Sequence, residues 1–285
     1  SADTMKVLKH HRKFSQHDVP MEIIQHQEPK LVAATGEPVS YPANPELEWC
    51  PPGHGDLYPA LLGSGWLDRL LADGVKYAFV SNSDNLGAQL DMNFLRWFAE
   101  SGAPFVMEVT RRTEADKKGG HLAVRKADGH LILREVAQCP DADIPEFQNI
   151  SKHRYFNTNT LWIRLDALKE ILDANGGVLP LPMIRNSKTL NPRDPESAPV
   201  YQLETAMGAG IECFPGARAV NFRVPGSSPS RPRPTCSCCV RTPSPWMKTA
   251  RWPWLRNGKE KLPLWTWTPS CTSWWTPWTA WACLP

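Results

Sequence analysis

The chain has 285 residues, 41% hydrophobic and 21% charged, with a formal net charge of +3, which is room for one large domain or two small ones of ordinary globular composition. No stretch approaches the ~20 uninterrupted apolar residues of a membrane helix, and Ser1-Ala2-Asp3-Thr4-Met5-Lys6 lacks the charged-then-apolar pattern of a secretory leader. The charge is uneven: Gly226 to Pro285 carries 8 Lys and Arg against one acid, Glu260, so the first 225 residues have 24 basic and 28 acidic groups and give no electrostatic reason to expect nucleic acid.

In chain order, Tyr58, Leu61, Leu62, Trp66, Leu67, Leu70 and Leu71 recur at three- and four-residue steps. That spacing predicts one helix with a buried face, ended at Asp73-Gly74, where glycine accepts a left-handed conformation. Tyr77-Ala78-Phe79-Val80 reads as a strand buried on both faces that opens into the polar loop Ser81-Asn82-Ser83-Asp84-Asn85. A helix is expected over Asp91 to Glu100, with Phe94, Leu95 and Phe98 on one side, and a strand over Phe105 to Thr110. His121 to Lys126 and His130 to Val136 flank Ala127-Asp128-Gly129, the pattern of a β-hairpin. Thr160 to Leu165 reads as a strand, Asp166 to Asn175 as a helix capped by Asp166 and stopped at Gly176-Gly177, and Tyr201 to Phe214 as a further helix. This alternation specifies an α/β fold with a twisted, mainly parallel sheet, whose ligands sit beyond the carboxyl ends of the strands.

Ser81 to Asn85 is therefore the first place to look for chemistry. Asp84 supplies a carboxylate and Asn82 and Asn85 supply amides, which suit a hard divalent cation or a polyhydroxy ligand. An Asx-rich turn satisfying its own backbone is an equal alternative. A second cluster, Trp49-Cys-Pro-Pro-Gly-His-Gly-Asp56, precedes the first helix, and its glycines allow close approach of backbone to a ligand. Pro-Pro-Gly is also a common rigid turn.

Together and in this order, the second cluster and Phe79-Val-Ser-Asn-Ser-Asp-Asn-Leu-Gly87 resemble the eukaryotic-type UDP-glucose pyrophosphorylase family (UTP–glucose-1-phosphate uridylyltransferase). The resemblance runs on through Phe105-Val-Met-Glu-Val-Thr110, Ala115-Asp-Lys-Lys-Gly-Gly120, Phe156-Asn-Thr-Asn159, Asn186-Ser-Lys-Thr189 and Gln202-Leu-Glu-Thr-Ala206, from about Met21 to Pro225. It implies a Rossmann-like, GT-A-like nucleotide-diphospho-sugar transferase fold with helices on both faces. It also implies formation of UDP-glucose and pyrophosphate from UTP and glucose 1-phosphate, in the cytoplasm, with no nucleic-acid or membrane partner and with homo-oligomers among intact members. The in-line attack would be on the α-phosphate with Mg²⁺ as template and charge neutraliser.

By the same resemblance Gln25 reads the uracil edge, with Gln27 as a rival register, and Gly53 lies against the nucleotide. His54 reaches the sugar-phosphate side, Asn82 and Asn186 contact sugar, and Asp84 holds Mg²⁺ near the α-phosphate. Lys188 faces the phosphates as the catalytic cation, and Glu204, on its expected helix, accepts from glucose hydroxyls. A solvated loop lysine and a packed helix face are the alternatives for Lys188 and Glu204, and Lys118 is equally a charge placed by a turn. The related UDP-N-acetylhexosamine pyrophosphorylases and a non-catalytic sugar-nucleotide-binding remnant are the competing readings of function.

Two departures stand beside the resemblance. No Gly-rich phosphate loop of the Leu-Asn-Gly-Gly-Leu-Gly-Thr type precedes Gln25. After Pro225 the family's basic segment, its phosphate-facing Lys and its C-terminal β-helix are not recognisable. The 226–285 tail instead holds 9 of the 13 Trp, 10 of the 28 Pro and 5 of the 8 Cys without periodicity, and reads as a disordered or frame-shifted segment separate from a catalytic domain over residues 1–225. Cys236, Cys238 and Cys239 have no second pair at zinc-finger spacing.

Overall fold

The computed structural model describes residues 2–11, 22–85 and 87–221, and within the remainder two strands, 264–267 and 279–284. Helix α1 (Ala2–His11) is followed by three short strands, β1 (Glu28–Pro29), β2 (Leu31–Val32) and β3 (Trp49–Cys50). The expected first helix is two: α2 (Leu57–Gly63) and α3 (Trp66–Ala72). The break falls at Gly65, whose φ of 75° only glycine adopts without strain, and the apolar period runs through it because both pieces bury the same side. Strand β4 (Tyr77–Asn82), helix α4 (Met92–Ser101) and strand β5 (Phe105–Arg111) follow as expected. Asp91 caps α4, accepting from the backbone N–H of Asn93 and Phe94.

The hairpin is present as β6 (His121–Val124) and β7 (Leu131–Arg134). After α5 (Ile144–Phe147), strand β8 (Tyr155–Arg164) begins five residues before its expected start. Helix α6 (Leu165–Ala174) takes Arg164 rather than Asp166 as its N-cap. The Asp166 carboxylate instead accepts from Ala167 N–H and from Arg164 Nε inside the first turn.

The expected helix over Tyr201 to Phe214 is absent. Strands β9 (Met183–Thr189) and β10 (Pro199–Thr205) pair antiparallel in a three-stranded sheet with β2, and only residues 207–212 are helical, as a 3-10 turn. Seven paired positions along β9 outweigh the weak local helical preference of Gln202-Leu-Glu. Strand β11 (Arg218–Asn221) closes the body.

The main sheet runs β11-β5-β8-β4 and continues through β13 (Thr279–Leu284) to β12 (Leu264–Trp267). Strands β4, β5 and β11 point one way; β8 lies antiparallel between β4 and β5, so β5–β11 is the parallel neighbour pair. Apart from its two strands, the tail lies outside the described residues. Both faces of the sheet are covered. Ala78, Val80, Phe105, Met107 and Leu161 pack with α2, α3 and α6, while Phe79, Val106 and Trp162 pack with Phe94 and Phe98 of α4.

Candidate functional site

The site begins at a seam between two backbones. Gly53 turns the chain at φ 82°, ψ 173°, where a Cβ would stand 2.5 Å from Thr205 O and 2.8 Å from Thr205 N. Across the seam Thr205 N–H donates to Pro52 O at 2.9 Å, and Met207 N–H donates to His54 Nδ1 at 2.9 Å. The Tyr58 hydroxyl donates to Met207 O at 2.6 Å. Burial pushes the His54 imidazole down to about 4, so the ring is neutral at physiological pH.

Gln25 lies beneath the turn, only 4% exposed, and its Nε2 donates to Gly53 O at 2.5 Å. A carbonyl only accepts, so the amide nitrogen must face it, and Gln25 Oε1 is left buried with no partner. Gln27, two residues on, is exposed. The segment is clipped from the other side by Asp56, whose carboxylate accepts from His26 N–H at 2.7 Å and pairs with His26 Nδ1 at 2.8 Å. Burial raises the neighbouring Glu28 carboxyl to about 7, against a lowering hydrogen bond with the Leu203 backbone and with smaller raising contributions from Glu204 and Asp56.

Glu204 stands on β10, not on a helix. Its Cβ lies 2.9 Å from the position a Gly53 Cβ would take, which puts it at the seam. In the antiparallel register Glu204 is opposite Ile184, Gln202 opposite Asn186, and Val200 opposite Lys188. Directly opposed residues share a face, and so do alternate residues of one strand. Glu204, Gln202, Asn186 and Lys188 therefore line one face, with Lys188 exposed.

The third part sits at the carboxyl end of β4. Alternation puts Asn82 on the side of Ala78 and Val80, the side that packs on Met207. Its Oδ1 is buried without a partner. Asp84 follows in the exposed turn, and no hydrogen bond or ion pair is formed by its carboxylate within the described residues. Asn85 satisfies the turn, accepting from Gly87 N–H and donating to Thr160 Oγ1, so the Asx-turn reading holds for Asn85 alone.

Asn157 and Asn159, which in the sequence belong to the segment Phe156-Asn-Thr-Asn159, have a defined place in the structure. Opposite Glu108 and Val109 the register of β8 skips Thr158 and Asn159, a bulge that re-aims side chains, and Asn159 adopts φ 56°. Asn157 Nδ2 donates to Asn159 Oδ1 at 2.6 Å, and a Cβ at Gly208 would meet that same Nδ2 at 2.6 Å. This amide pair links the His54–Met207 contact to the end of β4. The signal available in the sequence was a polar Asn-Thr-Asn run inside a strand of β-formers. A separate cleft of about 340 Å³ lies between the hairpin and β9, lined by Arg134, Glu135, Cys139, Met183 and Glu212. None of the sequence-derived candidates lines it.

Two unpartnered amide acceptors, a neutral imidazole and a close backbone approach suit a neutral, hydroxyl-rich and heterocyclic ligand. At the margins a lysine suits phosphate charge, and a free carboxylate suits a divalent cation that phosphates share. The sequence profile described as UTP–glucose-1-phosphate uridylyltransferase matches residues 1–228. The potato (Solanum tuberosum) UTP–glucose-1-phosphate uridylyltransferase is 40% identical over 227 residues, covering 79% of this chain and 45% of the relative. Its Saccharomyces cerevisiae counterpart is 49% identical over 172 residues, covering 60% of this chain and 34% of the relative. Among solved structures, UDP-glucose phosphorylase from Trypanosoma brucei superposes with a TM-score of 0.72 at 49% identity, covering 78% of this chain and 47% of that one. A UDP-glucose pyrophosphorylase variant from Leishmania major in complex with UDP-glucose superposes with a TM-score of 0.71 at 49% identity, covering 78% and 49%. The chain belongs to the UTP–glucose-1-phosphate uridylyltransferase family, and it spans less than half the length of these relatives.

Proposed function

We propose that this chain carries the uridine- and sugar-recognising part of an enzyme that makes UDP-glucose and pyrophosphate from UTP and glucose 1-phosphate. The observation that carries the reading is a pair of buried amide acceptors without partners, Gln25 Oε1 beneath the Gly53–His54 turn and Asn82 Oδ1 at the carboxyl end of β4. A buried amide oxygen without a partner costs free energy, about 1–3 kcal/mol, that a ligand donor recovers. Gln25 meets the imide N–H of uracil with Oε1 and has a second Nε2 hydrogen for a ring carbonyl. Asn82 accepts from a glucose hydroxyl, as do Glu204 and Asn186 along the neighbouring sheet. His54 donates to the sugar-phosphate, and Lys188 offsets phosphate charge.

A single free carboxylate, Asp84, fits Mg²⁺, which is commonly held by one or two carboxylates together with substrate phosphates. When bound there, the metal supplies charge neutralisation as the phosphate oxygens approach each other. These residues orient the sugar-phosphate for attack; positioning of this kind is worth several kcal/mol of barrier. Among the described residues no helix is long and apolar enough to cross a membrane. We assign the protein to the cytoplasm on its free Cys50, Cys139 and Cys213.

Calorimetric titration of the full chain with UDP-glucose, in the presence of Mg²⁺, tests the reading. Saturable binding that UTP displaces and ADP-glucose does not is the expected result. Equal binding of uridine and adenosine diphosphate sugars, or none of either, would remove the uracil assignment and with it the proposal.

A further inference from the structure

His54 is half-buried, and its one hydrogen bond within the described residues is the one from Met207 N–H to Nδ1. A ring nitrogen that accepts from a backbone N–H carries no proton, so the proton of the neutral imidazole must sit on Nε2. Met207 cannot easily withdraw that amide. Its carbonyl is held by the Tyr58 hydroxyl at 2.6 Å, and Tyr58 is fully buried in the core with Gly210 against its oxygen. One residue earlier but one, Thr205 is tied to Pro52 on the other side of the turn. The seam thus grips Met207 at both its N–H and its C=O.

We infer that Tyr58, acting through Met207, is a positioning residue that holds His54 as a neutral ring with its proton on Nε2, so that the ligand meets a hydrogen-bond donor that carries no charge. This rests on the proposed placement of the sugar-phosphate at His54. Desolvation is the one cause that shifts the ring, and the charged and titratable groups of the neighbouring elements leave this state undisturbed. On its own turn, the Asp56 carboxylate is occupied by His26; on β10, Glu204 stands at the seam; on α2, Tyr58 keeps its proton because burial pushes its hydroxyl well above the usual range, helped by Cys213. Protonating His54 at Nδ1 would turn the Met207 contact into two donors facing each other. A charged ring is therefore excluded by geometry as well as by desolvation, and the phosphate charge is left to Lys188 and to a bound cation.

The chemical consequence is selectivity without charge steering. A neutral N–H can donate to a phosphate oxygen or to a sugar hydroxyl, and the ring's own charge does not change as pH moves through the ordinary histidine range. Affinity for UDP-glucose should therefore not change through His54 titration between about pH 5 and pH 8, where an ordinary histidine changes charge.

Two-bond proton–nitrogen spectra of the full chain, labelled with ¹⁵N-histidine and assigned with His54→Gln, read the tautomer directly. The expected pattern is an unprotonated Nδ1 and a protonated Nε2, unchanged between about pH 5 and pH 8. A major Nδ1–H form, or a titration with a midpoint near the ordinary value of about 6.5, overturns the inference. Tyr58→Phe keeps the ring and deletes the donor, and Gly210→Ala presses on the same oxygen from the other side, as an independent variant. Each should mix the two tautomers and weaken UDP-glucose binding about tenfold, the loss of one hydrogen bond of roughly 1.4 kcal/mol. If both variants fold and leave the His54 spectrum as in the unsubstituted chain, Tyr58 has no positioning role. The spectra need no ligand, so a locked ring in a chain that binds no UDP-glucose upholds the lock while refuting the functional reading.

Discussion

Gly53→Ala isolates the cost of bringing two backbones together at the site. Gly53 sits at φ 82°, ψ 173°, a region essentially closed to residues with a Cβ, and entering it costs about 1–3 kcal/mol. The added methyl would also stand 2.5 Å from Thr205 O and 2.8 Å from Thr205 N, and neither can rotate away because both are main-chain atoms. Overpacking of that kind costs a further ~1–3 kcal/mol. The sum is centred near 4 kcal/mol, which lowers Tm by about 8–16 °C for a body of this size. The control is Gly36→Ala. Gly36 has a similar φ of 75° but no atom within 4 Å of its would-be Cβ. It carries the conformational term without the contact, so roughly 1 kcal/mol and 2–4 °C are expected. Thermal unfolding followed by circular dichroism, together with urea midpoints, gives both numbers. If the two variants lose stability equally, the seam can part without cost and close approach is not why glycine stands at position 53.

Asp56→Ala frees His26 and leaves its N–H without an acceptor; the expected outcome is a loss of about 2–3 kcal/mol in urea denaturation and faster amide exchange at His26 and Gln25, with Asp56→Asn intermediate. Asp84→Asn should abolish Mg²⁺ dependence of UDP-glucose binding in calorimetry while leaving Tm unchanged, because the side chain is exposed and makes no bond among the described residues. Stability should rise gently, by up to ~1.4 kcal/mol per unit, as pH falls from about 6.5 to 4.5, and then fall at up to ~1.4 kcal/mol per unit for each lowered histidine. In that upper window His54 and His121, lowered to about 4 and about 3 chiefly by desolvation, bind fewer protons folded than unfolded, while Glu28, Glu108 and Glu135, all raised to about 7 chiefly by desolvation, bind more, and the carboxyls outnumber the histidines. Below the unfolded carboxylate value the histidines still differ, joined by Asp128 and Glu146, whose carboxyls Arg125 and Lys152 hold below the ordinary range, so acid destabilises; stability already falling from pH 6.5 to 4.5 in urea titrations would contradict these assignments.

Elements whose signal was local were legible in the sequence. The Leu-rich period around Leu61 and Leu67, the Asp91 cap and the Ala127-Asp128-Gly129 turn all describe themselves within a few residues. The failure that reached the site has one physical cause, which is pairing at a distance. Tyr201 to Thr205 looks helical by composition, but β9 lies across a loop and fills its hydrogen bonds. That loop cannot be seen from the segment itself. The same strand sets the surroundings of Glu204, so an error in element type carried into the account of the site. Spacing could not separate the surroundings of Gln25 and Gln27, because the Gly53 carbonyl that Gln25 meets lies 28 residues away. Gly65 was hidden because the helical stripe is continuous across the break.

The strand-end rule also reaches this site by a route that a mainly parallel sheet would not suggest. Strands β4 and β5 deliver their carboxyl ends to one edge, and the antiparallel β8 arrives there with its amino half, Tyr155 to Thr160. A run of Asn-Thr-Asn-Thr in the middle of a buried sheet would be costly if unpaired. Here each member has a partner: Thr158 Oγ1 donates to Glu108 O at 2.7 Å, Asn157 and Asn159 bond each other twice, and Thr160 Oγ1 accepts from Asn85. The bulge at Thr158 and Asn159 lets these bonds form while Leu161 to Ile163 return to the core, fully buried. Behind the bulge, Trp162 donates to the buried Glu108 carboxylate at 2.7 Å and fixes the strand from the α4 side. A strand polar at one end and apolar at the other is thereby held in a single register. On the adjoining strand Asn82 Oδ1 stays buried without a partner, the acceptor to which the proposed function assigns a sugar hydroxyl.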